Sequence, residues 1–101
     1  MNKKIVQAVM ERSKGLCEVC GSNFKTERHH IVKGRGKRKQ HETVESVIAL
    51  CWHCHYGTYG IHGREGHILD RQLKLKLQET YFNQGYSVEE VRVMMGGKIY
   101  E

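Results

Sequence analysis

The apolar residues of this chain predict a helix at its start and a short extended segment after it. Four apolar residues fall on one face of a helix over residues 2 to about 14, and Gly15 is suited to end it. Residues 24–32 have the short extended pattern of a hairpin. Residues 46–50 are mostly apolar and lead into a short helix that contains His55. The apolar face of the first helix consists of Ile5, Val6, Val9 and Met10.

The next part of the chain predicts a loop and then a long helix. Glycine recurs at every third position from Gly57 to Gly66, and we expect a loop with little intrinsic order there. Residues 73–77 alternate between Leu and Lys as a strand would. The step of four from Leu69 to Tyr81 and the lack of β-branched residues nevertheless favour a helix.

A last helix is predicted near the end of the chain. Ser87 and Glu90 have the spacing of a capping box, and Gly96-Gly97 ends the apolar pattern that follows. This helix gives one hypothesis for function, a protein-interaction domain built on its apolar face, with a homodimer through the C-terminal helices as one version. The apolar face of the helix consists of Val88, Val91, Met94 and Met95, and the last three would form the interaction surface.

Composition limits the classes of protein to consider. A chain of 101 residues with 39% apolar residues fits one small domain whose core is only marginally sufficient, so a metal crosslink would supplement it. No apolar run approaches the roughly 20 residues of a membrane span, and no secretion-signal pattern is visible at the start. We therefore expect a cytoplasmic protein without membrane partners. The net charge of +6 favours polyanionic partners without choosing between DNA and RNA.

Four cysteines form two Cys-x-x-Cys pairs, Cys17 with Cys20 and Cys51 with Cys54. This spacing lets both sulfur atoms of a pair reach one ion, and two such pairs form a tetrahedral thiolate site for Zn²⁺. Four thiolates leave no open coordination position, so such a zinc ion would be structural. Two disulfides or redox-active pairs are the alternatives, and the expected reducing compartment disfavours them.

Three histidines lie close to these pairs in sequence. His29 and His30 are adjacent, and His55 directly follows the last cysteine. Neighbouring residues of a strand point to opposite faces, so one histidine can bind a metal while the other acts as a base. A spare zinc ligand or a surface residue is the alternative for any one of them.

A strongly basic segment follows the tandem histidine. Its two glycines predict a loop, and its cations are suited to DNA phosphates, although a solvated run of charge is the alternative. Without a base-reading motif, we expect weak sequence specificity. The cationic residues are Lys33, Arg35, Lys37, Arg38 and Lys39.

The combined motif resembles the HNH endonucleases of the zinc-stabilised, four-cysteine branch, a family that includes small stand-alone phage proteins. The resemblance implies an α+β fold with a ββα-metal core at residues 15–62. This core would lie in a single domain over residues 1–101, flanked by the N-terminal helix and by a helical extension at residues 68–96. The matching residues are Cys17-x-x-Cys20, His29-His30-Ile31, Val47-Ile48-Ala49-Leu50-Cys51 and Cys54-His55.

The resemblance also implies roles for single residues. His29 and His55 occupy the metal-ligand positions, and His30 occupies the general-base position. The family's middle Asn is replaced by Ser46, whose hydroxyl offers fewer hydrogen bonds for bracing the loop. Some relatives have a further histidine ligand where this chain has Tyr59, and His62 is the alternative third ligand.

The resemblance therefore predicts a metal-dependent DNA endonuclease or nickase whose products carry 5′-phosphate and 3′-hydroxyl ends. We expect Mg²⁺ or Mn²⁺ at the histidines, with Ni²⁺ or Co²⁺ as substitutes. If the chain is phage-encoded, DNA processing or packaging in the host cytoplasm, with terminase or other packaging proteins as partners, is the expected setting. The oligomeric state stays open between monomer and homodimer. The competing hypothesis is a non-catalytic zinc module that binds nucleic acid through its basic loop.

Overall fold

The computed structural model describes residues 2–32 and 42–101. Within these ranges, the chain forms four helices and a two-stranded sheet. No helix there has the length and apolar character needed to cross a membrane. In chain order the elements are α1 (Lys3–Ser13), β1 (Glu27–His30), β2 (Val47–Leu50), α2 (Trp52–Tyr56), α3 (His67–Asn83) and α4 (Val88–Met94).

Helix α1 covers one face of the sheet. The side chain of Asn2 caps its start by accepting a hydrogen bond from the backbone N–H of Lys4. Lys14, in the left-handed conformation with φ of 57°, ends it one residue before Gly15. Val9 is fully buried against Val47 and Ala49 of β2. The helix is therefore held by apolar contacts with the strand that leads into the second cysteine pair.

Strands β1 and β2 are antiparallel, and α2 packs against both of them. This is the ββα arrangement of the expected fold. The extended segment is shorter than residues 24–32, since only Glu27–His30 pair with β2. His29 faces Ile48 across the sheet, and His30 faces Val47. His55 is the fourth of the five residues of α2, within the short helix that the sequence predicts.

The turn between the first two cysteines extends the sheet beside β2. The backbone N–H of Glu18 donates to the carbonyl of Ala49 at 2.9 Å, and its carboxylate accepts the N–H of Ala49 at 2.7 Å. Arg12 of α1 pairs with the same carboxylate and also donates to the carbonyl of Val47 at 2.6 Å. These bonds join α1, the first Cys-x-x-Cys turn and β2 into one unit.

The expectation of little order between Gly57 and Gly66 was wrong. The segment forms successive turns, in which the N–H of Gly60 donates to the carbonyl of Gly57 and that of Gly63 to the carbonyl of Gly60. An added Cβ at Gly63 would overlap the carbonyl oxygen of Gly57. The glycines therefore permit close packing of backbone on backbone, which their sequence pattern alone does not distinguish from flexibility.

The largest apolar core lies between the C-terminal helices and the end of β1. Residues 73–77 are helical, and Leu73, Leu77 and Tyr81 of α3 pack in one cluster with Val91. The capping box of Ser87 and Glu90 is present at the start of α4. The apolar face of Val91, Met94 and Met95 is not open to a partner as the hypothesis expected, because it is covered within this chain. Val91 and Met95 are buried within this chain, and Met94 packs partly against the same cluster.

Candidate metal centres

The four cysteines lie around one point between the first turn and α2. Their sulfur atoms all lie within 4.8 Å of one another, and the Sγ atoms of Cys20 and Cys51 are 3.5 Å apart. All four are free thiols, so the disulfide alternative is not what the structure contains. Cys17 and Cys51 are buried, whereas Cys20 is exposed. The cysteines are positioned to form a zinc site.

Electrostatics at this cluster favour a bound cation. Burial of Cys17 opposes its ionisation, but hydrogen bonds, first from the backbone of Cys20 and Cys51, lower its pKa to about 6. Burial and the neighbouring thiols raise the pKa of Cys54 well above its usual range. Cys17 is therefore readily ionised while Cys54 resists ionisation, and a bound Zn²⁺ would compensate the charge of the thiolates.

A second group of potential ligands is carried by β1, by α2 and by the turns after α2. His29, His55 and His62 each offer a ring nitrogen, and these atoms lie within 4.8 Å of one another. Ring centroids are 5.3 Å apart for His29 and His55, and 4.8 Å apart for His55 and His62. The rings of His29 and His55 are buried, with residue exposures of 3% and 6%. Burying adjacent imidazoles is favourable when they share a cation, so this donor set fits a divalent metal ion.

Backbone hydrogen bonds after α2 bring His62 to this group. The N–H of Ile61 donates to the carbonyl of Cys54 at 2.9 Å, and that of His62 donates to the carbonyl of His55 at 2.8 Å. The ring of His62 therefore lies beside that of His55, although the two residues are seven positions apart in the sequence. Tyr59, at the position of the additional histidine in some relatives, is 72% exposed and lies outside the group.

Glu27 is a neighbour of the histidines that the sequence interpretation did not include. Its Oε2 lies 3.9 Å from Nδ1 of His55 and accepts a hydrogen bond from the hydroxyl of Tyr56 at 3.5 Å. Residues two apart on a strand share a face, so its position two residues before His29 was the available signal. A carboxylate beside a metal-binding imidazole helps to fix the orientation of the ring.

His30 contacts Glu42, whereas its neighbour His29 lies in the group of potential metal ligands. Its Nε2 lies 2.7 Å from Oε2 of Glu42, and the exposed fractions of the two side chains are 17% and 7%. The pKa of the Glu42 carboxyl is lowered, first by the backbone N–H of Asn2 and then by His30. The sequence interpretation missed Glu42, because no local pattern relates it to a histidine 12 residues earlier.

Ser46 is buried and closes a tight turn with Thr43. The backbone N–H of Thr43 donates to Oγ of Ser46 at 2.8 Å, and the Ser46 hydroxyl donates to the carbonyl of Thr43 at 3.0 Å. The backbone N–H of His30's successor, Ile31, donates to the carbonyl of Ser46 at 2.8 Å. The Ser46 hydroxyl therefore hydrogen-bonds the backbone of the connection between the strands. The amide of the usual Asn is larger and has more hydrogen-bond donors for the same task.

The five cations expected to bind DNA lie outside the described residues. Lys33, Arg35, Lys37, Arg38 and Lys39 all fall between the two described ranges, 2–32 and 42–101. They are related to the histidines by sequence position alone, because the basic segment begins three residues after the last residue of β1, His30.

Comparison with known proteins agrees with this geometry. Residues 17–57 match the family model of the HNH endonucleases. No curated protein and no solved structure matches the chain. The matched segment includes all four cysteines and His29, His30 and His55, whereas His62 lies beyond it. The matched segment is therefore similar to a nuclease family.

Proposed function

We propose that this protein is a metal-dependent DNA endonuclease or nickase. The observation that carries the proposal is the convergence of ligand atoms from His29, His55 and His62 within 4.8 Å of one another, in and beside a matched HNH segment. His30 is the proposed general base, next to the ligand His29 but with a different contact. A structural zinc ion on the four cysteines would hold the segment in shape and take no part in the reaction.

The proposed reaction is hydrolysis of a phosphodiester bond. A divalent ion held by the three histidines would act as a Lewis acid toward the scissile phosphate and its leaving oxygen. His30 would accept a proton from the attacking water, which a neutral imidazole can do near pH 7. The products would carry 5′-phosphate and 3′-hydroxyl ends. The turn formed by Ser46 would keep His30 and the strands in register.

The donor set sharpens the expectation for the activating metal. Imidazole nitrogens suit Ni²⁺ and Co²⁺ and are compatible with Mn²⁺, whereas Mg²⁺ prefers oxygen ligands. With His29 where relatives often have Asp, we propose that Mn²⁺, Ni²⁺ and Co²⁺ activate better than Mg²⁺. The His29→Asp variant should shift the preference toward Mg²⁺, and a metal series with plasmid substrate measures it.

The experiment that tests the proposal is relaxation of supercoiled plasmid with each divalent metal. The His30→Ala variant should lose roughly two or more orders of magnitude in nicking rate, because the base is removed while the metal ligands remain. His53→Ala is the matched control, since His53 belongs to neither ligand group, and it should nick like the wild type. Equal nicking by the wild type and by His30→Ala would remove His30 from its role.

DNA binding is proposed to depend on the basic segment. Each phosphate that a cation neutralises contributes about 0.9 to the slope of log K against log salt on duplex DNA. Replacing Lys37, Arg38 and Lys39 by Ala should therefore lower the slope by up to about 2.7. Binding should weaken uniformly across sequences, because phosphate contacts carry little sequence information.

The alternative is a zinc-stabilised module that binds nucleic acid without cutting it. That protein would show the same salt-dependent binding but no cleavage in any divalent metal, so only the plasmid assay separates the two functions. For a phage-encoded chain, we propose DNA processing or packaging in the host cytoplasm as the setting, with terminase or other packaging proteins as partners.

A further inference from the structure

We propose that Glu42 is a positioning residue that fixes the orientation and the tautomer of His30. The inference rests on the proposed function, in which His30 is the general base. It starts from the 2.7 Å contact between Oε2 of Glu42 and Nε2 of His30, which is largely shielded from solvent on both sides. Glu42 follows the basic segment and lies in the HNH segment but holds none of the motif positions quoted for the family.

The chemistry of the contact assigns the two ring nitrogens. An ionised carboxylate only accepts hydrogen bonds, and a neutral imidazole carries one N–H. The proton of His30 therefore lies on Nε2, where it is donated to Glu42. Nδ1 then keeps its lone pair for the proton of the attacking water. A buried carboxylate plays the same part toward the histidine of a serine-protease triad, where it holds the ring in the correct tautomer and orientation.

Glu42 is itself held from two directions. Its second oxygen, Oε1, accepts the backbone N–H of Asn2 at the start of α1 at 3.0 Å. Its neighbour Thr43 is fixed by Ser46 and by the hydroxyl of Tyr81, which lies 2.7 Å from Oγ1 of Thr43. Side-chain freedom of a glutamate is therefore reduced before any substrate binds. A contact preorganised in this way orients the imidazole without an entropy cost at the moment of reaction.

This arrangement offers a physical account of Ser46 at the position of the usual Asn. Ser46 bonds the backbone of Thr43, directly beside Glu42. Bracing of the loop and aiming of the base are then divided between two residues, with the serine holding the turn and the glutamate holding the ring.

The test compares Glu42→Ala and Glu42→Gln with the wild-type zinc protein in plasmid nicking. Loss of a carboxylate that orients a reactive or metal-bound histidine typically costs about ten- to a hundred-fold. We expect a fall of that size in kcat for Glu42→Ala, with little change in KM for DNA. Glu42→Gln should recover part of the rate, because its single amide oxygen can serve His30 or Asn2 but not both. Asn2→Ala is the stability control, since it removes the helix cap while keeping the backbone N–H that Glu42 accepts.

A double-variant cycle separates positioning from a merely structural effect. In the His30→Ala background, Glu42→Ala should cause no further loss of rate, because the residue through which it acts is gone. An equal loss in both backgrounds would overturn the proposal. So would an unchanged rate for Glu42→Ala in a protein whose His30→Ala variant is inactive.

A spectroscopic measurement keeps the proposal testable without activity. Two-bond ¹H–¹⁵N correlation spectra of the wild-type zinc protein should show His30 with its proton on Nε2, and Glu42→Gln should lower the fraction of that tautomer. A wild-type spectrum with the proton on Nδ1 would overturn the proposal. If His30→Ala nicks like the wild type while the spectrum shows Nε2–H, the proposed function fails and the orientation by Glu42 stands.

Discussion

The hydroxyl of Tyr81 lies 2.7 Å from Oγ1 of Thr43 and joins helix α3 to the turn beside Glu42. Tyr81 is fully buried, and burial raises the pKa of its hydroxyl. Thr43 in turn exchanges hydrogen bonds with Ser46. Residues outside the HNH segment are therefore hydrogen-bonded to the connection that positions His30.

The Tyr81→Phe variant should show how much this connection matters. Removing the hydroxyl leaves Thr43 with one hydrogen bond fewer at a partly buried site, at a cost of about 1 kcal/mol in the free energy of unfolding. Denaturant unfolding of the zinc-loaded protein measures it. Tyr86→Phe is the control, because Tyr86 packs edge-on against Tyr81 but is partly exposed. Identical midpoints for the two variants would contradict the role of the Tyr81 hydroxyl.

The Ser46→Ala variant should be less stable and slower. It removes a hydroxyl that both accepts from and donates to the backbone of Thr43, and a buried donor left unsatisfied costs about 1–3 kcal/mol. Thermal unfolding and plasmid nicking at one metal concentration measure the two effects. Ser22→Ala is the matched control, since the Ser22 hydroxyl caps the exposed N–H of Phe24. A Ser46→Ala protein that nicks at the wild-type rate would show that the turn needs no side-chain brace.

The His62→Ala variant should weaken metal binding more than it weakens the chemistry. Removing one of three imidazole ligands leaves His29 and His55, so the Mn²⁺ concentration for half-maximal nicking should rise about tenfold or more. The rate at saturating Mn²⁺ should stay within severalfold of the wild type. His53→Ala, outside the group, should leave the metal titration unchanged. A His62→Ala titration that overlays the wild type would restrict the site to two protein ligands.

Removal of the zinc ion should unfold the segment that carries both metal centres. Trp52 is the only tryptophan and follows the ligand Cys51, so its fluorescence reports on this region directly. A strong zinc chelator should shift its emission toward that of an exposed indole and abolish nicking, because structural zinc contributes folding energy. Cys54→Ser should behave in the same way without chelator. Full nicking activity in a protein free of zinc would contradict the structural assignment.

The sequence predicted what depends on local spacing. The cysteine pairs, the tandem histidine and the capping box of Ser87 with Glu90 each lie within a few residues, and the structure contains the corresponding turn, strand and helix start. The same pattern could not distinguish glycines that permit tight packing from glycines that loosen a loop. Between Gly57 and Gly66, backbone hydrogen bonds determine that the segment is ordered. Several of these bonds are accepted by carbonyl groups of α2.

The sequence pattern could not predict contacts between residues that are far apart in the chain. Glu42 meets His30 across the connection between the strands, and Tyr81 reaches Thr43 from 38 residues away. Neither pair has a characteristic spacing, since each depends on how separate elements pack. The apolar face of α4 was misassigned for a related reason, because periodicity identifies a buried face without identifying what covers it.

Helix α2 carries two sulfur ligands and one imidazole ligand in Cys51-Trp52-His53-Cys54-His55, counting the cysteine that caps it. Five residues are too few to hold a helix in water without outside support. If both centres bind as proposed, they must fill in sequence: the thiolate ion first, to shape the helix, and the catalytic ion afterwards. Newly made chains would then not cut DNA until zinc is bound, and maturation of the proposed enzyme would be tied to zinc supply.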